Sequence, residues 1–203
     1  MKFFLSVLLL ICILFSCKKE PVKQTDNPNI EVGAFQFMPM FFGSKWTYKI
    51  YDMKPTKTLK GMEYYKYDSV PDVIYIFNTI YQQTGYASWY KSKTDINTFY
   101  SGNNRVLFNT NFIDSTKGKQ FVLGKDNNSA QYIYGGLDTL ETKFGKIPCI
   151  VTSGESFKSS KYIWKRHFGK GYGVMKYESF TIQNRDTFYH TVDELDSYFI
   201  NRP

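Results

Sequence analysis

The sequence predicts a single, mainly β domain, built as an antiparallel β-sandwich or an open (half) β-barrel with few or no helices. Two observations predict this fold. Short runs rich in Tyr, Phe, Val, Ile and Thr recur along the chain, and residues typical of turns separate them. No segment carries a long apolar stripe at helical spacing. Regular short strands joined by turns are typical of sandwiches and barrels.

The chain begins with features of an export signal. Lys2 precedes an apolar run from Phe3 to Phe15 that only Ser6 interrupts, and the chain becomes polar directly after Cys17. A transmembrane helix needs about 20 apolar residues, whereas the apolar region of a signal peptide has about 7–15. We therefore predict a signal peptide over residues 1–16. An ordinary cleaved signal without lipid and an uncleaved anchor are the alternatives.

Residues 14–17 (LFSC) resemble the bacterial lipobox, in which a small residue precedes the cysteine that receives the lipid. This resemblance implies lipidation at Cys17, and thus a membrane partner held through the N-terminal lipid. Residues 17–29 then form a polar, flexible tether, since Val22 is their one sizeable apolar side chain. Residues 30–203 have the length of one domain.

The overall charge argues against nucleic acid as a partner. The chain has a net charge of +8, and loss of Lys2 with the signal leaves 25 basic and 18 acidic residues, or +7. These lysines are scattered among acidic and amide residues, and no run of basic residues forms a nucleic-acid-binding stripe.

Alternation of side chains predicts the first strands of the domain. Over Lys45–Asp52, Trp46, Tyr48 and Ile50 alternate with more polar residues, which is typical of a half-buried strand. Val73–Gln82 is apolar on both sides, which predicts a central strand covered on both faces. Five further runs share this β-rich composition: Met62–Asp68, Ala87–Lys91, Ile96–Tyr100, Arg105–Asn109 and Gln131–Tyr134.

The C-terminal third predicts a meander. Leu137–Thr142 and Lys146–Ser153 flank a short turn in which Gly145 takes the positive-φ position of a hairpin. Three further strands are predicted to follow: Lys161–Phe168, Val174–Thr181 and Thr187–Ile200.

Several short phrases resemble a group of uncharacterised Bacteroidota-type lipoproteins. Residues 37–48 (FMPMFFGSKWTY) match their aromatic-x-Pro opening with a later Gly-x-x-Trp-x-Tyr, and Thr142, Gly145 and Cys149 fit their later hairpin. Residues 168–176 (FGKGYGVMK) and 194–198 (ELDSY) continue the match. The resemblance implies a β-rich, lipid-anchored envelope protein of unknown role in the outer membrane. Residues 18–20 (KKE) lack an acidic surface-export tag, which favours the periplasmic leaflet.

The sequence predicts no enzyme, no metal and no cofactor. The two histidines, His167 and His190, cannot supply a zinc site alone, and Cys149 lies in a predicted apolar strand, where a buried, unreactive thiol is expected. His190, Asp193 and Ser197 are close in sequence, but His190 and Asp193 face opposite sides of a strand.

Two loops resemble ligand motifs only superficially. Residues 169–173 (GKGYG) precede a predicted strand, whereas a dinucleotide site requires a helix there. Residues 126–128 (DNN) lack the glycine and the distal glutamate of a calcium loop, so a plain turn is expected.

Aromatic residues make up 19% of the chain, and three interpretations of them remain open. They are ordinary strand residues, or they line a concave apolar pocket for a lipid or acyl chain, or they form an exposed platform for a glycan or a partner protein. We expect a binding role, with the hydrophobic ligand slightly favoured over the glycan or protein partner. The candidate surface comprises Trp89, Tyr90, Tyr75 and Tyr81.

Overall fold

The computed structural model describes residues 33–54, 56–67, 73–91, 97–101, 106–125, 129–156, 162–183 and 186–202. The predicted signal peptide, the lipidation site Cys17 and the tether lie outside these residues, as does the predicted turn at 126–128. Two short 3₁₀ turns occur in the described part, at Gly33–Gln36 and Thr110–Phe112.

Thirteen β-strands make up the described fold. They are β1 (Lys45–Asp52), β2 (Thr58–Tyr67), β3 (Val73–Asn78), β4 (Gln83–Lys91), β5 (Thr98–Ser101), β6 (Val106–Asn109), β7 (Gln120–Lys125), β8 (Ser129–Tyr134), β9 (Asp138–Thr142), β10 (Gly145–Ser156), β11 (Tyr162–Gly169), β12 (Gly173–Gln183) and β13 (Asp186–Phe199).

The strands form one antiparallel sheet in the order β6-β5-β4-β3-β2-β1-β13-β12-β11-β10-β8-β7, with β9 paired to β10. The ends of this order are not paired with each other among the described strands, so the sheet is not closed into a barrel. The predicted mainly β, antiparallel open architecture is confirmed. The C-terminal meander is also confirmed, because β10 to β13 are neighbours in sequence order. Gly145 has the predicted positive φ, at 104°.

Large aromatic side chains join β6, at one end of the sheet, to strands near the other end. Phe108 of β6 packs against Phe168 of β11, with 4.6 Å between ring centroids, and stacks on Phe99 of β5 at 5.4 Å. All three are fully buried. Near them, the Gln131 side chain of β8 donates from Nε2 to the carbonyl oxygen of Val106 at 2.7 Å. The sheet therefore curls until β6 reaches β8 and β11 through side chains, and the core fills its inner side.

The predicted strand Val73–Gln82 needs correction in two respects. Val73–Gln82 is not one strand, because β3 ends at Asn78, whose Oδ1 accepts hydrogen bonds from the backbone N–H of Ile80 and of Tyr81 and so begins a turn. The segment is also not covered on both faces, since Ile74 is buried whereas Phe77 is 41% exposed. Its apolar outer side is a surface feature.

Strand β7 was not predicted from the sequence. Its three consecutive apolar residues, over 121–123, are followed by Gly124, and this short run gives no clear alternation in sequence. β7 lies at an end of the strand order and pairs only with β8 among the described strands. Tertiary pairing rather than local pattern defines such an edge strand.

A glycine allows β10 and β11 to carry a large ring between them. Gly154 pairs with Trp164, and a Cβ at Gly154 would lie 2.3 Å from the Trp164 ring, closer than side-chain atoms approach. Any larger residue must displace the indole, which also stacks on the Arg166 guanidinium at 4.8 Å.

We expect Gly154→Ala to lower the free energy of unfolding by about 1–3 kcal/mol, the usual cost of overpacking. Gly85→Ala is the matched control, because Gly85 also lies in a strand and a Cβ there meets nothing within 4 Å. Urea denaturation of both variants and the parent provides the measurement. Equal stability of the two variants would contradict the close contact with Trp164.

Candidate functional site

Strands β2 to β4 carry aromatic side chains on both faces. Tyr48 and Tyr65 pack together on the inner side with 4.8 Å between ring centroids, and Tyr48 is buried. Tyr64 and Phe77 are paired across β2 and β3 and are exposed. Because successive residues of a strand alternate between faces, Tyr64 must lie opposite Tyr65.

We name the exposed group the aromatic face. It consists of Tyr64, Phe77 and Tyr86 on the outer side of β2, β3 and β4, with Tyr81 exposed in the β3–β4 turn. Tyr86 is 69% exposed and Tyr81 is 68% exposed. The rings of Tyr64 and Phe77 lie 6.3 Å apart with 26° between their planes, so they offer a nearly parallel pair of rings.

The predicted binding residues Tyr75, Tyr81, Trp89 and Tyr90 lie in β3, the β3–β4 turn and β4. Tyr81 is exposed in the β3–β4 turn. Tyr75 is the register partner of Tyr86, whereas Trp89 and Tyr90 lie further along β4, where it pairs with β5. The side chains of Tyr75, Trp89 and Tyr90 lie outside the described part of the structure.

Sequence reasoning did not identify Phe77, and it did not separate Tyr64 and Tyr86 from the other clustered tyrosines. The alternation of Tyr64 with Tyr65 was the available signal. It could not show which of the two faces is buried.

A second feature of the outer surface is a cleft between the β9–β10 hairpin and strands β1, β12 and β13, which we name the hairpin cleft. Its volume is about 470 Å³. The residues lining it are Lys49, Tyr51, Leu140, Glu141, Thr142, Lys143, Met175, Lys176, Glu194, Leu195 and Asp196.

Asp196 fastens the hairpin over the cleft. Its Oδ1 accepts hydrogen bonds from Lys143 Nζ at 2.6 Å and from Lys49 Nζ at 2.8 Å. The hydrogen bond from Lys143, followed by that from Lys49, lowers the pKa of Asp196. Because Lys143 lies in the hairpin turn and Lys49 in β1, one carboxylate joins both walls of the cleft.

The other charges around the cleft are also paired. Lys57 contacts Glu194 at 2.7 Å, and Lys176 contacts Glu178 at 2.8 Å. His167 Nε2 lies 3.3 Å from the second oxygen of Glu178. Burial alone would raise the pKa of Glu178, but its hydrogen bonds with His167 and Lys176 outweigh this effect and lower the pKa to about 2.

The inner side contains one conspicuous carboxyl group. Burial, followed by the charge of Glu63, raises the pKa of Asp193 to about 7, and Arg166 opposes the shift. Oδ1 of Asp193 and the hydroxyl of Tyr48 are both buried without a hydrogen-bond partner within the described residues. Asp193 is therefore mostly protonated in the folded protein below neutral pH.

The structure does not assemble a Ser-His-Asp triad from the candidate residues. Asp193 pairs with Ile50, whereas Ser197 pairs with Thr47. Because Ile50 and Thr47 are three positions apart, Asp193 and Ser197 face opposite sides of the sheet.

Cys149 and the glycine-rich loop are the remaining candidate motifs that the structure describes. Cys149 is buried, and burial raises the pKa of its thiol to about 12. The glycine-rich loop at 169–173 leads directly into strand β12 rather than a helix.

Within the residues that the structure describes, no group of three or more His, Cys, Asp or Glu side chains could hold a metal ion. In the same residues, no helix is long and apolar enough to cross a membrane.

Comparison with solved structures finds the same fold elsewhere. A protein of Bacteroides fragilis NCTC 9343, described as exported and as having a YmcC-like fold, matches with a TM-score of 0.51 and 13% identity over 78% of this chain and 96% of that chain. A protein of Parabacteroides distasonis ATCC 8503, described as a lipoprotein, gives a TM-score of 0.49 and 15% identity over 80% and 98% of the two chains. Because the first match has a TM-score of 0.51 but only 13% identity, it shows a shared fold and not a shared function.

No protein-family model matches the chain. No curated protein matches it either.

The buried Asp193 should make stability fall as pH rises from about 4 to about 7. In this range the folded state holds a proton that the unfolded state, with a pKa near 3.8, has released. Each pH unit then lowers the free energy of unfolding by up to about 1.4 kcal/mol. Asp193→Asn should remove this slope and stabilise the protein at pH 8. Urea denaturation across the pH range tests it.

Glu178 has the opposite dependence and serves as the control. Its stabilising contribution is present above its ordinary pKa of 4.5 and is lost as pH falls toward about 2. Glu178→Gln should therefore reduce the loss of unfolding free energy below pH 4.5. It should leave unchanged the fall in unfolding free energy between pH 4 and 7. If the free energy of unfolding of Asp193→Asn still fell between pH 4 and 7 as in the parent, Asp193 would not be the group responsible.

Proposed function

We propose that this chain is a lipid-anchored, non-catalytic protein of the cell envelope that binds a glycan on its aromatic face. The observation that supports this proposal is the exposure of Tyr64, Phe77 and Tyr86 together on one side of the sheet. Side chains of this size are normally buried, and a cluster of them on the surface is typical of a binding site.

The shape and chemistry of the aromatic face suit a sugar ring. The rings of Tyr64 and Phe77 are stacked, and the ring surface that stays exposed offers apolar contacts to the C–H groups of a pyranose. The hydroxyls of Tyr64, Tyr81 and Tyr86 can exchange hydrogen bonds with sugar hydroxyls. A protein partner is the rival occupant of this surface.

A lipid or acyl chain in the concave sheet receives less support from the geometry. The inner side is occupied by large, fully buried side chains, among them Trp46, Phe37 and Phe108. Trp46 also donates from its indole nitrogen to the carbonyl oxygen of Tyr172 at 2.7 Å, which fixes the ring in place. An acyl chain would have to displace these groups, at the cost of core packing.

The membrane location in this proposal rests on the sequence of the N-terminus. Acyl chains on Cys17 would hold the protein in the outer membrane, in the periplasmic leaflet. The twelve residues that follow Cys17, 18–29, span up to about 40 Å when extended. The domain could then reach glycans that lie well away from the lipid headgroups.

Replacing Cys17 with Ala should release the protein from the membrane fraction, because one or more covalent acyl chains supply the anchor. Cys12→Ala is the matched control, since Cys12 lies within the predicted signal peptide. Cell fractionation with mass spectrometry of the N-terminal peptide measures both variants. Retention of Cys17→Ala in the membrane would contradict lipid anchoring.

The double variant Phe77→Ala/Tyr86→Ala should weaken glycan binding at least about tenfold, because burial of each ring contributes on the order of 1 kcal/mol. Phe199→Ala is the control, as Phe199 is 56% exposed but lies outside the aromatic face. Affinity electrophoresis in gels containing dextran, mannan, laminarin, xylan or alginate measures the effect.

Three outcomes of this experiment are informative. Retardation that the double variant loses and Phe199→Ala retains supports the proposal. Equal retardation of all variants would place binding elsewhere. A lipid that copurifies in stoichiometric amount, seen by native mass spectrometry, would favour the hydrophobic ligand instead.

A further inference from the structure

We infer that the hairpin cleft is a second subsite for the same glycan and that it selects an uncharged sugar unit. This inference rests on the proposed function, since it assumes that a glycan occupies the aromatic face. In this arrangement the aromatic face binds sugar rings of any kind, and the hairpin cleft determines which sugar unit is accepted.

Strand register connects the two features on one side of the sheet. Tyr64 of the aromatic face is two residues from Met62, which pairs with Lys49 of the cleft. Lys49 in turn pairs with Glu194, and Glu194 pairs with Lys176. Paired residues of neighbouring strands share a face, so this row runs without interruption from the aromatic face into the cleft.

The distance between the features suits an oligosaccharide. From β3 to β13 there are three steps between neighbouring strands, each about 4.8 Å, or about 14 Å in all. A ligand of several sugar units can therefore lie on both. The cleft volume of about 470 Å³ falls within the usual range for small-molecule sites, about 300–1,000 Å³.

The charges that line the cleft favour a neutral ligand. Three lysines and three acidic residues contribute to the lining, so it carries no net charge. Lys49 and Lys143 are both engaged by Asp196, and Lys176 is engaged by Glu178. An anionic ligand would have to compete with these carboxylates for the lysines.

Hydroxyl groups avoid this competition. An ammonium has three donor hydrogens and a carboxylate has about four acceptor sites, so paired groups can still bond to a ligand. A sugar hydroxyl can both donate to Glu194 or Asp196 and accept from Lys49. Hydrogen bonds to charged groups are also the stronger ones. Leu140, which is half-buried at the cleft, adds apolar contacts for the C–H groups of the sugar.

Two methionines make the inference directly testable. Met62 lies beside Tyr64, whose hydroxyl is 3.5 Å from its sulfur, and Met175 is buried but borders the cleft, so its methyl signal responds to a change in the cleft. Carbon-13 labelling of the methionine methyl groups gives one NMR reporter for each subsite, assigned with Met62→Leu and Met175→Leu. The probes are manno-, gluco- and xylo-oligosaccharides of one to six units and, as acidic counterparts, alginate oligosaccharides of the same lengths.

We expect a short neutral oligosaccharide to shift the Met175 signal and a longer one to shift both signals. Lys49→Gln should weaken binding of the short ligand at least fivefold and reduce the Met175 shift. Lys60→Gln is the matched control, because Lys60 pairs with Asp52 and does not line the cleft. It should leave both shifts unchanged.

The outcomes separate this inference from the proposed function. Shifts of Met62 alone, at every ligand length, would overturn the cleft subsite and leave glycan binding on the aromatic face in place. Shifts of Met175 alone, unaffected by Phe77→Ala/Tyr86→Ala, would overturn the shared ligand. A Met175 shift only with the alginate oligosaccharides would overturn the neutral specificity. No shift with any probe would overturn both proposals.

Discussion

The fold depends on how β6, at one end of a long antiparallel sheet, is joined without strand pairing to strands near the other end. At the junction, Phe108 of β6 packs on Phe168 of β11, and Gln131 of β8 donates to the backbone of β6. The amide of Gln131 supplies a hydrogen bond that a strand ladder would otherwise have provided. Because the inner side must supply apolar contacts to hold the ends together, the core occupies it. Binding surfaces therefore have to form on the outside of the sheet.

The hairpin cleft arises from a local irregularity of the pairing between β1 and β13. The register shifts between Thr47 and Tyr48, so that Ser197 and Leu195 oppose consecutive residues of β1 and Asp196 has no partner opposite it. A bulge of this kind redirects a side chain. Here the bulge brings the Asp196 carboxylate to Lys49 and Lys143. Because Lys143 lies in the β9–β10 turn, its ion pair attaches the hairpin to the sheet. One extra residue in β13 thus decides whether the hairpin has an attachment point over the sheet.

Local pattern was sufficient to predict most strands, the C-terminal meander and the turn glycine at position 145. It failed where tertiary pairing decides the structure. β7 is a short edge strand, and the end of β3 depends on the side chain of Asn78 bonding to its own turn. The hairpin cleft joins residues about 90 positions apart, such as Lys49 and Lys143, and no spacing in the sequence indicates that they share a carboxylate. The exposed Phe77 was not identified from the sequence, because alternation alone does not show which face of β3 is buried.

The aromatic content of the chain has two different physical origins. Tyr48 and Tyr65 are needed inside the sheet, where their rings pack together at 4.8 Å and exclude water. Tyr64 and Phe77 face the opposite way and make no contribution to that packing, although Thr or Lys would suit an exposed strand position as well. Exposed rings also carry a risk of aggregation between sheets. The inner set is required by the core, whereas the outer pair stabilises the pairing of β2 with β3 and offers the surface on which the proposed glycan would lie.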